Sequence, residues 1–299
     1  MRRSVARTHL VGRLVLAAAA ACGTAHRAAT ADATSVTDDA GRAVTLGHPA
    51  RRIVSLSPAA TELLFALGAG DRVVGRTTWC DYPPAARAVP SVGDGLNPNI
   101  EAVAARQPDL VVLYRSPLNA TAAAQLDRLG IAAAIVRQDR LEDLARAARL
   151  LGRLVGRAAA GDSLAGALSE TLAHPAAPSQ TRVAVVVWDT PPMVIGGGSY
   201  LDQLLTLAGA DNVFHDIGAA SAVVALETIA TRDPDVIAVL TDSAAAEPPA
   251  FARRREWQVI RAVRARRLVY LTGSLFGRPS PRAALAARAL RQVLAQAAR

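Results

Sequence analysis

Residues 101–113 read Glu-Ala-Val-Ala-Ala-Arg-Gln-Pro-Asp-Leu-Val-Val-Leu, and residues 227–239 repeat the phrase as Glu-Thr-Ile-Ala-Thr-Arg-Asp-Pro-Asp-Val-Ile-Ala-Val. Each copy starts an amphipathic run at a glutamate, ends it with Arg-x-Pro-Asp, and continues into an apolar stretch. This order is typical of a helix, a turn and a buried strand. The repeat predicts two related α/β lobes. Because such lobes bind ligands at the carboxyl ends of their strands, we expect a ligand in the cleft between them.

A second, weaker repeat, in which residues 67–73 are similar to residues 207–213, also supports two related lobes. The 299-residue chain suits two lobes of roughly 120 residues each. We place the first lobe at residues 36–138 and the second at residues 180–299.

The segment between the lobes, residues 139–174, is predicted to be a single long helix. Its leucines recur at helical spacing from Leu141 to Leu172, and a helix of roughly thirty residues spans about 45 Å. Gly152, Gly156 and Gly161 leave room for a break. An unbroken helix would resist bending and limit the opening of the lobes.

The amino terminus has the pattern of a targeting segment. Arg2 and Arg3 precede an apolar run that ends in small residues just before Cys22. Residues 1–21 are therefore predicted to be a signal peptide and residues 22–35 a linker, which places the protein outside the cytoplasm. The residues before Cys22 resemble a bacterial lipoprotein signal, so an acylated Cys22 would anchor the protein to a membrane surface. The alternative is an ordinary cleaved signal with an incidental cysteine.

Charge and motif content argue against two other classes of function. The formal net charge of +9 comes entirely from arginines, and these are scattered among acidic residues without interleaved aromatics, so we expect no nucleic-acid partner. The sequence lacks a nucleophile elbow, a His-Glu-x-x-His pair and any cysteine or histidine cluster at metal spacing, so neither catalysis nor a metal site is predicted. An exported hydrolase and a ligand sensor stay open as alternatives of a different class.

Several phrases together resemble the periplasmic binding proteins of cobalamin, haem and ferric-siderophore importers. The resemblance implies two Rossmann-like lobes joined by a single long backbone helix, the class III arrangement, and it extends over nearly all of residues 36–298. The motifs near residues 81–84 and 276–282 are most similar to the cobalamin-binding branch. Besides the two Glu-led repeats, the motifs that carry the resemblance are Arg52 to Leu63, Cys80 to Pro84, Gly198 to Asp202, and Ser280 to Arg282.

This resemblance implies a cargo, partners and a set of binding residues. The cargo would be cobalamin or, alternatively, haem or a ferric siderophore, with no covalent cofactor, and the partners would be the permease and ATPase of an ABC transporter. A flat macrocycle with amide arms needs aromatic and apolar faces with a few donors. Cargo binding is accordingly expected at Trp79, Tyr82, Tyr114, Trp188, Ser274, Leu275, Phe276, Gly277 and Arg278.

Three of these expectations have alternatives. Trp188 has core packing as an equally weighted role. A haem ligand would call for an axial histidine or tyrosine, for which Tyr82 is the main candidate. Cys80, the only other cysteine besides Cys22, either faces the ligand as a thiolate or is a small buried hydrophobe.

Glu101 and Glu227 begin the two copies of the repeat. They resemble the pair of carboxylates, one in each lobe, with which such proteins dock onto arginines of the permease. Charges at the rim of an interface mainly steer encounter and fix orientation, which suits a protein that must release its cargo. The simpler role is stabilisation of two helix dipoles, at a few tenths of a kcal/mol each.

Overall fold

The first lobe is a four-stranded parallel sheet with helices on its faces, preceded by an antiparallel hairpin. The computed structural model describes residues 33–241 and 249–297, so the predictions for the signal peptide and Cys22 lie outside the described residues. The strand order is β4-β3-β5-β6, and β1 pairs with β2. The elements are β1 (Thr34–Thr37), β2 (Ala43–Leu46), β3 (Ile53–Ser55), α1 (Pro58–Ala66), β4 (Val73–Arg76), α2 (Ile100–Ala104), β5 (Leu110–Tyr114), α3 (Pro117–Arg128) and β6 (Ala132–Val136), with short 3-10 helices at Gly70–Arg72 and Pro84–Ala88.

The connecting segment corrects the expectation of one long helix over residues 139–174. It forms two helices, α4 (Leu141–Leu154) and α5 (Ala158–Ala173), separated by a turn. Gly156 has φ +67°, a left-handed conformation that ends α4. The two helices then pack closely, because a Cβ on Gly152 would lie 3.0 Å from the Cα of Gly161. The apolar periodicity continues across the break because both helices bury one face.

The second lobe contains a larger mixed sheet. Its order is β10-β8-β7-β11-β12, with β9 paired to the start of β7; β7, β11 and β12 run parallel, whereas β8 and β10 add antiparallel strands at one side. The elements are β7 (Arg182–Asp189), β8 (Pro192–Ile195), α6 (Tyr200–Ala208), β9 (Asp211–Asn212), β10 (Ser221–Val223), α7 (Leu226–Arg232), β11 (Val236–Thr241), α8 (Arg261–Arg264), β12 (Leu268–Thr272) and α9 (Ala283–Ala297), with 3-10 helices at Ala250–Arg253 and Arg255–Val259.

The sequence repeat has a structural reason. Each copy forms a helix followed by a central parallel strand, α2 with β5 and α7 with β11. The aspartate after the proline accepts hydrogen bonds from the backbone where the neighbouring strand begins. Asp109 accepts the N–H of Arg52 at 3.0 Å, and Asp235 accepts the N–H of Arg182 at 3.1 Å. The motif therefore ties each helix–strand unit to the adjoining strand, β3 or β7.

Three apolar clusters form the core, and the largest includes residues of both lobes. It joins Leu63 of α1 and Leu151 of α4 to Leu168 of α5, Val185 of β7 and Leu290 of α9. The other two clusters cover the opposite faces of the two sheets. Within the described ranges, no helix is long and apolar enough to cross a membrane.

Candidate functional site

A cavity of about 890 Å³, here called the cleft cavity, lies between the lobes. Its walls come from the segments that follow strands of both sheets, which is where the sequence predicts the cleft. The described residues that line it are Leu56, Ser57, Pro58, Ala59, Thr77, Trp79, Asp94, Gly95, Leu96, Tyr114, Gln138, Asp139, Val187, Ile195, Ser199, Tyr200, Leu201, Ala220, Ser221, Leu240, Phe276, Gly277, Arg278 and Pro279.

Two helices, one from each lobe, begin at this cavity. Ser57 caps α1 by accepting the N–H of Ala60 at 3.4 Å, and Ser199 caps α6 by accepting the N–H of Asp202 at 3.0 Å. Serine is a favoured residue at this position because its hydroxyl satisfies one of the free N–H groups of the first turn. We call the part of the lining formed by residues 57–59 and 199–201 the floor of the cavity. The matching caps give this floor an approximate symmetry between the lobes.

Two buried polar side chains accompany these helix starts. The Ser57 hydroxyl donates to Gln138 Oε1 at 2.5 Å, while Gln138 Nε2 and Tyr200 Oη have no hydrogen-bond partner among the described residues. Gln138 is 3% exposed and Tyr200 is 4% exposed. Burial, reinforced by the charge of Glu62, raises the pKa of Tyr200, so its hydroxyl keeps its proton. An unsatisfied buried group of this kind costs about 1–3 kcal/mol.

One wall of the cavity is fixed by an ionic cluster that joins the lobes. Glu62 of α1, whose side chain is 1% exposed, accepts from Arg278 Nε at 3.1 Å, from Ser280 Oγ at 2.6 Å and from Arg282 Nη2 at 2.8 Å. The three donors belong to the loop before α9. We call these four residues the Glu62 cluster. Arg278 also bonds the carboxylate of Asp81, so two carboxylates balance its charge.

A second polar connection between the lobes lies at the start of α4. Arg140 Nη1 donates to the carbonyl of Gly197 at 3.0 Å, and the N–H of Leu141 donates to Gln203 Oε1 at 2.9 Å. Gln203 Nε2 in turn donates to Glu142 Oε1 at 2.9 Å. Together with the Glu62 cluster, these bonds hold the two lobes at two separate places.

Tyr114, at the end of β5, donates its hydroxyl hydrogen to Asp139 Oδ1 at 2.5 Å. Burial and then this bond raise the pKa of Tyr114 to about 12. The Tyr114 side chain is therefore a neutral phenol whose hydroxyl is used by Asp139, and it lines the cavity without adding a negative charge.

The raised pKa predicts an alkaline effect on stability. A folded pKa of about 12, above the ordinary 10.0, favours the folded state up to pH 10, and that contribution is lost as the pH rises from 10 through 12. We expect the free energy of unfolding of the Tyr114→Phe variant to fall less steeply over this interval than that of the wild type. Urea denaturation at pH 10, 11 and 12 measures the slopes, and parallel slopes would contradict the assignment.

Five of the nine predicted cargo-binding residues line the cleft cavity. Trp79 is 63% exposed although it is a large apolar side chain, whereas Phe276 is buried. The full set of lining residues from the prediction is Trp79, Tyr114, Phe276, Gly277 and Arg278.

The other four lie outside the lining. Tyr82 packs beneath Arg282, whose guanidinium carbon lies 3.6 Å from the ring centroid. Trp188 is 61% exposed and donates its indole N–H to the carbonyl of Thr190 at 2.9 Å. The carbonyl of Ser274 accepts from Arg282 at 3.2 Å, and Leu275 packs partly buried against the core.

Sequence reasoning missed Gln138 and Tyr200 as candidate site residues. Tyr200 belongs to the phrase Gly198 to Asp202 and directly follows a capping serine, which is the signal that would have indicated it. Cys80 is fully buried, 3.1 Å from Thr77 Oγ1, and does not line the cavity. Across the residues that the structure describes, no group of histidine, cysteine or acidic side chains is arranged to hold a metal ion.

Glu101 and Glu227 lie in the first turns of α2 and α7, and both are exposed. Each follows a cavity-lining segment closely in the chain, Leu96 in one lobe and Ser221 in the other. Neither carboxylate forms an ion pair within the described ranges, so both are exposed and uncompensated there.

Residues 53–275 match a protein family described as periplasmic binding protein. The chain belongs to this family. This periplasmic binding protein is 31% identical over 253 residues to the vitamin B12-binding protein of Salmonella typhimurium, covering 83% of its own length and 92% of the relative. It is 30% identical over 259 residues to YvrC of Bacillus subtilis, an uncharacterised ABC transporter substrate-binding lipoprotein, covering 83% and 81% of the two chains.

Solved structures agree in fold. The vitamin B12 binding protein BtuF of Vibrio cholerae superposes with a TM-score of 0.67 at 26% identity, covering 83% of this chain and 98% of that one. The haem-binding protein BhuT, solved with two haems, gives 0.70 at 26% identity with 83% and 99% covered. The relatives are exported solute-binding proteins rather than enzymes. This periplasmic binding protein is accordingly a substrate-binding component of an ABC importer.

Proposed function

We propose that the protein captures cobalamin in the cleft cavity and delivers it to the permease and ATPase of an ABC transporter. The observation that carries the proposal is the chemistry of the cavity walls, which are mainly apolar and aromatic. Among the described lining residues the charged side chains are Asp94, Asp139 and Arg278, and the arginine is already paired. Such a cavity disfavours a ligand with several negative charges and suits a macrocycle with neutral amide arms.

Haem is the second candidate, because a haem-binding protein is among the structural neighbours. Two features of the described cavity make haem a weaker candidate than cobalamin. Its lining contains no histidine, methionine or cysteine, and Tyr114 has a raised pKa that opposes ligation as a phenolate. Tyr82, the expected axial ligand, lies beneath Arg282 outside the lining.

Calorimetric titration of the purified protein with cyanocobalamin, haem and a ferric siderophore tests the proposal. We expect one-to-one saturation by cyanocobalamin and weaker binding of the other two. Saturation by haem or siderophore with no response to cobalamin would show that the cargo is one of these and not cobalamin. No response to any of the three would contradict all three cargo assignments.

We further propose that Cys22 carries a lipid anchor, as the lipoprotein relative supports. Incorporation of a labelled fatty acid into the wild type, but not into Cys22→Ala, is the expected result. Equal labelling, or none, would contradict the anchor.

Glu101 and Glu227 are proposed to dock the protein onto the permease. The double variant Glu101→Ala/Glu227→Ala should keep its cobalamin affinity, because neither residue belongs to the lining of the cleft cavity. It should associate with the permease about tenfold more slowly at low salt. Binding kinetics with permease in detergent or nanodiscs measures this effect. Glu170→Ala, an exposed glutamate on α5, is the matched control. Loss of cobalamin affinity in the double variant would contradict a docking role.

A further inference from the structure

The floor of the cleft cavity presents hydrogen-bond donors from both lobes. The first N–H groups of a helix have no acceptor within the helix. The serine caps of α1 and α6 each satisfy the N–H group of the third helical residue, Ala60 or Asp202. The N–H groups of Ala59 and Leu201 have no intrahelical partner, and Pro58, the first residue of α1, has no N–H. Both helices are nine residues long and both begin at the cavity.

Two side chains add further donors at the same place. Gln138 Nε2 carries two hydrogens, and Tyr200 Oη carries one. Both residues line the cavity, both are more than nine-tenths buried, and neither atom has a hydrogen-bond partner in the part of the chain described. In the orientation found here, Gln138 Oε1 accepts from Ser57 and Nε2 is the end of the amide left without a partner.

A folded protein seldom leaves two such atoms unpaired in the lining of one cavity, because each loses its hydration without compensation. Both residues lie near the start of a helix, and this position indicates which kind of ligand group would replace their lost hydration. The N-terminal ends of helices carry partial positive charge, which attracts electron-rich oxygen atoms. The four free groups named here, two backbone N–H groups with Gln138 Nε2 and Tyr200 Oη, are all donors, so the complementary ligand group is an acceptor.

We propose that Gln138 Nε2 and Tyr200 Oη form an acceptor-binding subsite, in which they donate hydrogen bonds to an oxygen of the cargo held between the starts of α1 and α6. This inference rests on the proposed function. Cobalamin offers two kinds of acceptor oxygen, the carbonyls of its amide arms and its phosphate. The subsite draws one donor from each lobe, so it recognises its ligand only when both lobes are in place.

The test compares Tyr200→Phe with the wild type in two measurements. Cyanocobalamin affinity should fall about tenfold, the effect of one hydrogen bond. The midpoint of urea unfolding without ligand should stay the same or rise, because the variant removes an unpaired buried hydroxyl. Tyr270→Phe, on a tyrosine that packs against the far side of the second sheet, is the matched control and should leave affinity unchanged.

The opposite pattern would overturn the inference. If Tyr200→Phe binds cobalamin as tightly as the wild type and unfolds at lower urea, the hydroxyl serves the protein itself, for example through an internal water. Gln138→Leu gives an independent reading of affinity and should also lose about tenfold; unchanged affinity would count equally against the subsite.

Cobinamide, which keeps the amide arms but lacks the nucleotide phosphate, identifies the oxygen. A tenfold difference between wild type and Tyr200→Phe that persists with cobinamide supports an amide carbonyl, and one that disappears supports the phosphate. If the wild type binds haem instead of cobalamin, the comparison is made with haem, whose carboxylates are also acceptors. Failure of the cargo proposal is thus seen in the wild type, whereas failure of the subsite is seen as equal affinity of variant and wild type.

Discussion

Replacing Glu62 by glutamine should lower the free energy of unfolding by about 3 kcal/mol, because removing one partner of a buried ion pair leaves the other charges uncompensated. The side chain is almost fully buried and accepts bonds from two arginines and a serine of the other lobe. Glutamine keeps the shape but not the charge, so Arg278 and Arg282 would face each other across a neutral group. Urea denaturation of both proteins at neutral pH measures the difference.

Glu170→Gln is the control for this experiment, since that glutamate is exposed on α5 and should change stability by no more than about 0.5 kcal/mol. A loss for Glu62→Gln as small as that of the control would show that the Glu62 cluster contributes little to stability. Because Arg278 lines the cleft cavity, we also expect the Glu62 variant to bind its cargo less tightly.

Replacing Trp79 by alanine should weaken cobalamin binding about a hundredfold with almost no change in stability. The side chain is largely exposed without ligand and lines the cavity, so a bound macrocycle would cover a large aromatic surface there. Its backbone carbonyl, which accepts from Arg278 at 2.8 Å, is kept in the variant. Titration calorimetry and urea unfolding of the same preparation give both quantities.

Trp188→Ala is the matched comparison, because Trp188 is exposed to nearly the same extent but lies outside the cavity lining. We expect it to retain most of the wild-type affinity. Equal losses at the two positions would show that the cargo extends beyond the cavity as far as Trp188, which the sequence analysis predicted to bind it. Loss at Trp188 alone would contradict the assignment of the cavity as the binding site.

The repeat made most of the architecture predictable. Arg-x-Pro-Asp has a local role that recurs in both lobes, since Asp109 and Asp235 each bond the start of a neighbouring strand. Patterns of this kind depend on a few adjacent residues, and they are visible in one sequence. The strand ends then placed the cleft, whereas the expected cargo-binding residues, among them Trp79, Tyr114 and the loop from Phe276 to Arg278, came from the resemblance to the cobalamin-binding branch.

Features that depend on contacts between distant residues were not predictable in the same way. The break between α4 and α5 follows from the conformation of Gly156 and from close packing of two other glycines, whereas the apolar period is the same for one helix or two. Glu62 and Arg282 are 220 residues apart, and no local pattern pairs them. Tyr82 was expected to bind the cargo because the resemblance to the cobalamin-binding branch implies it, but Arg282 packs over its ring.

The apolar cluster shared by both lobes has a consequence for cooperativity. Since it contains side chains of α1 and β7 together with both connecting helices, neither lobe has a complete core of its own. We therefore expect the described chain to unfold in a single transition, with the slowest amide hydrogens of the two sheets exchanging at the same global rate. A fragment that ends between α5 and β7 would separate the two parts of this cluster and expose both, so neither part of the chain is suited to exist as a separate domain.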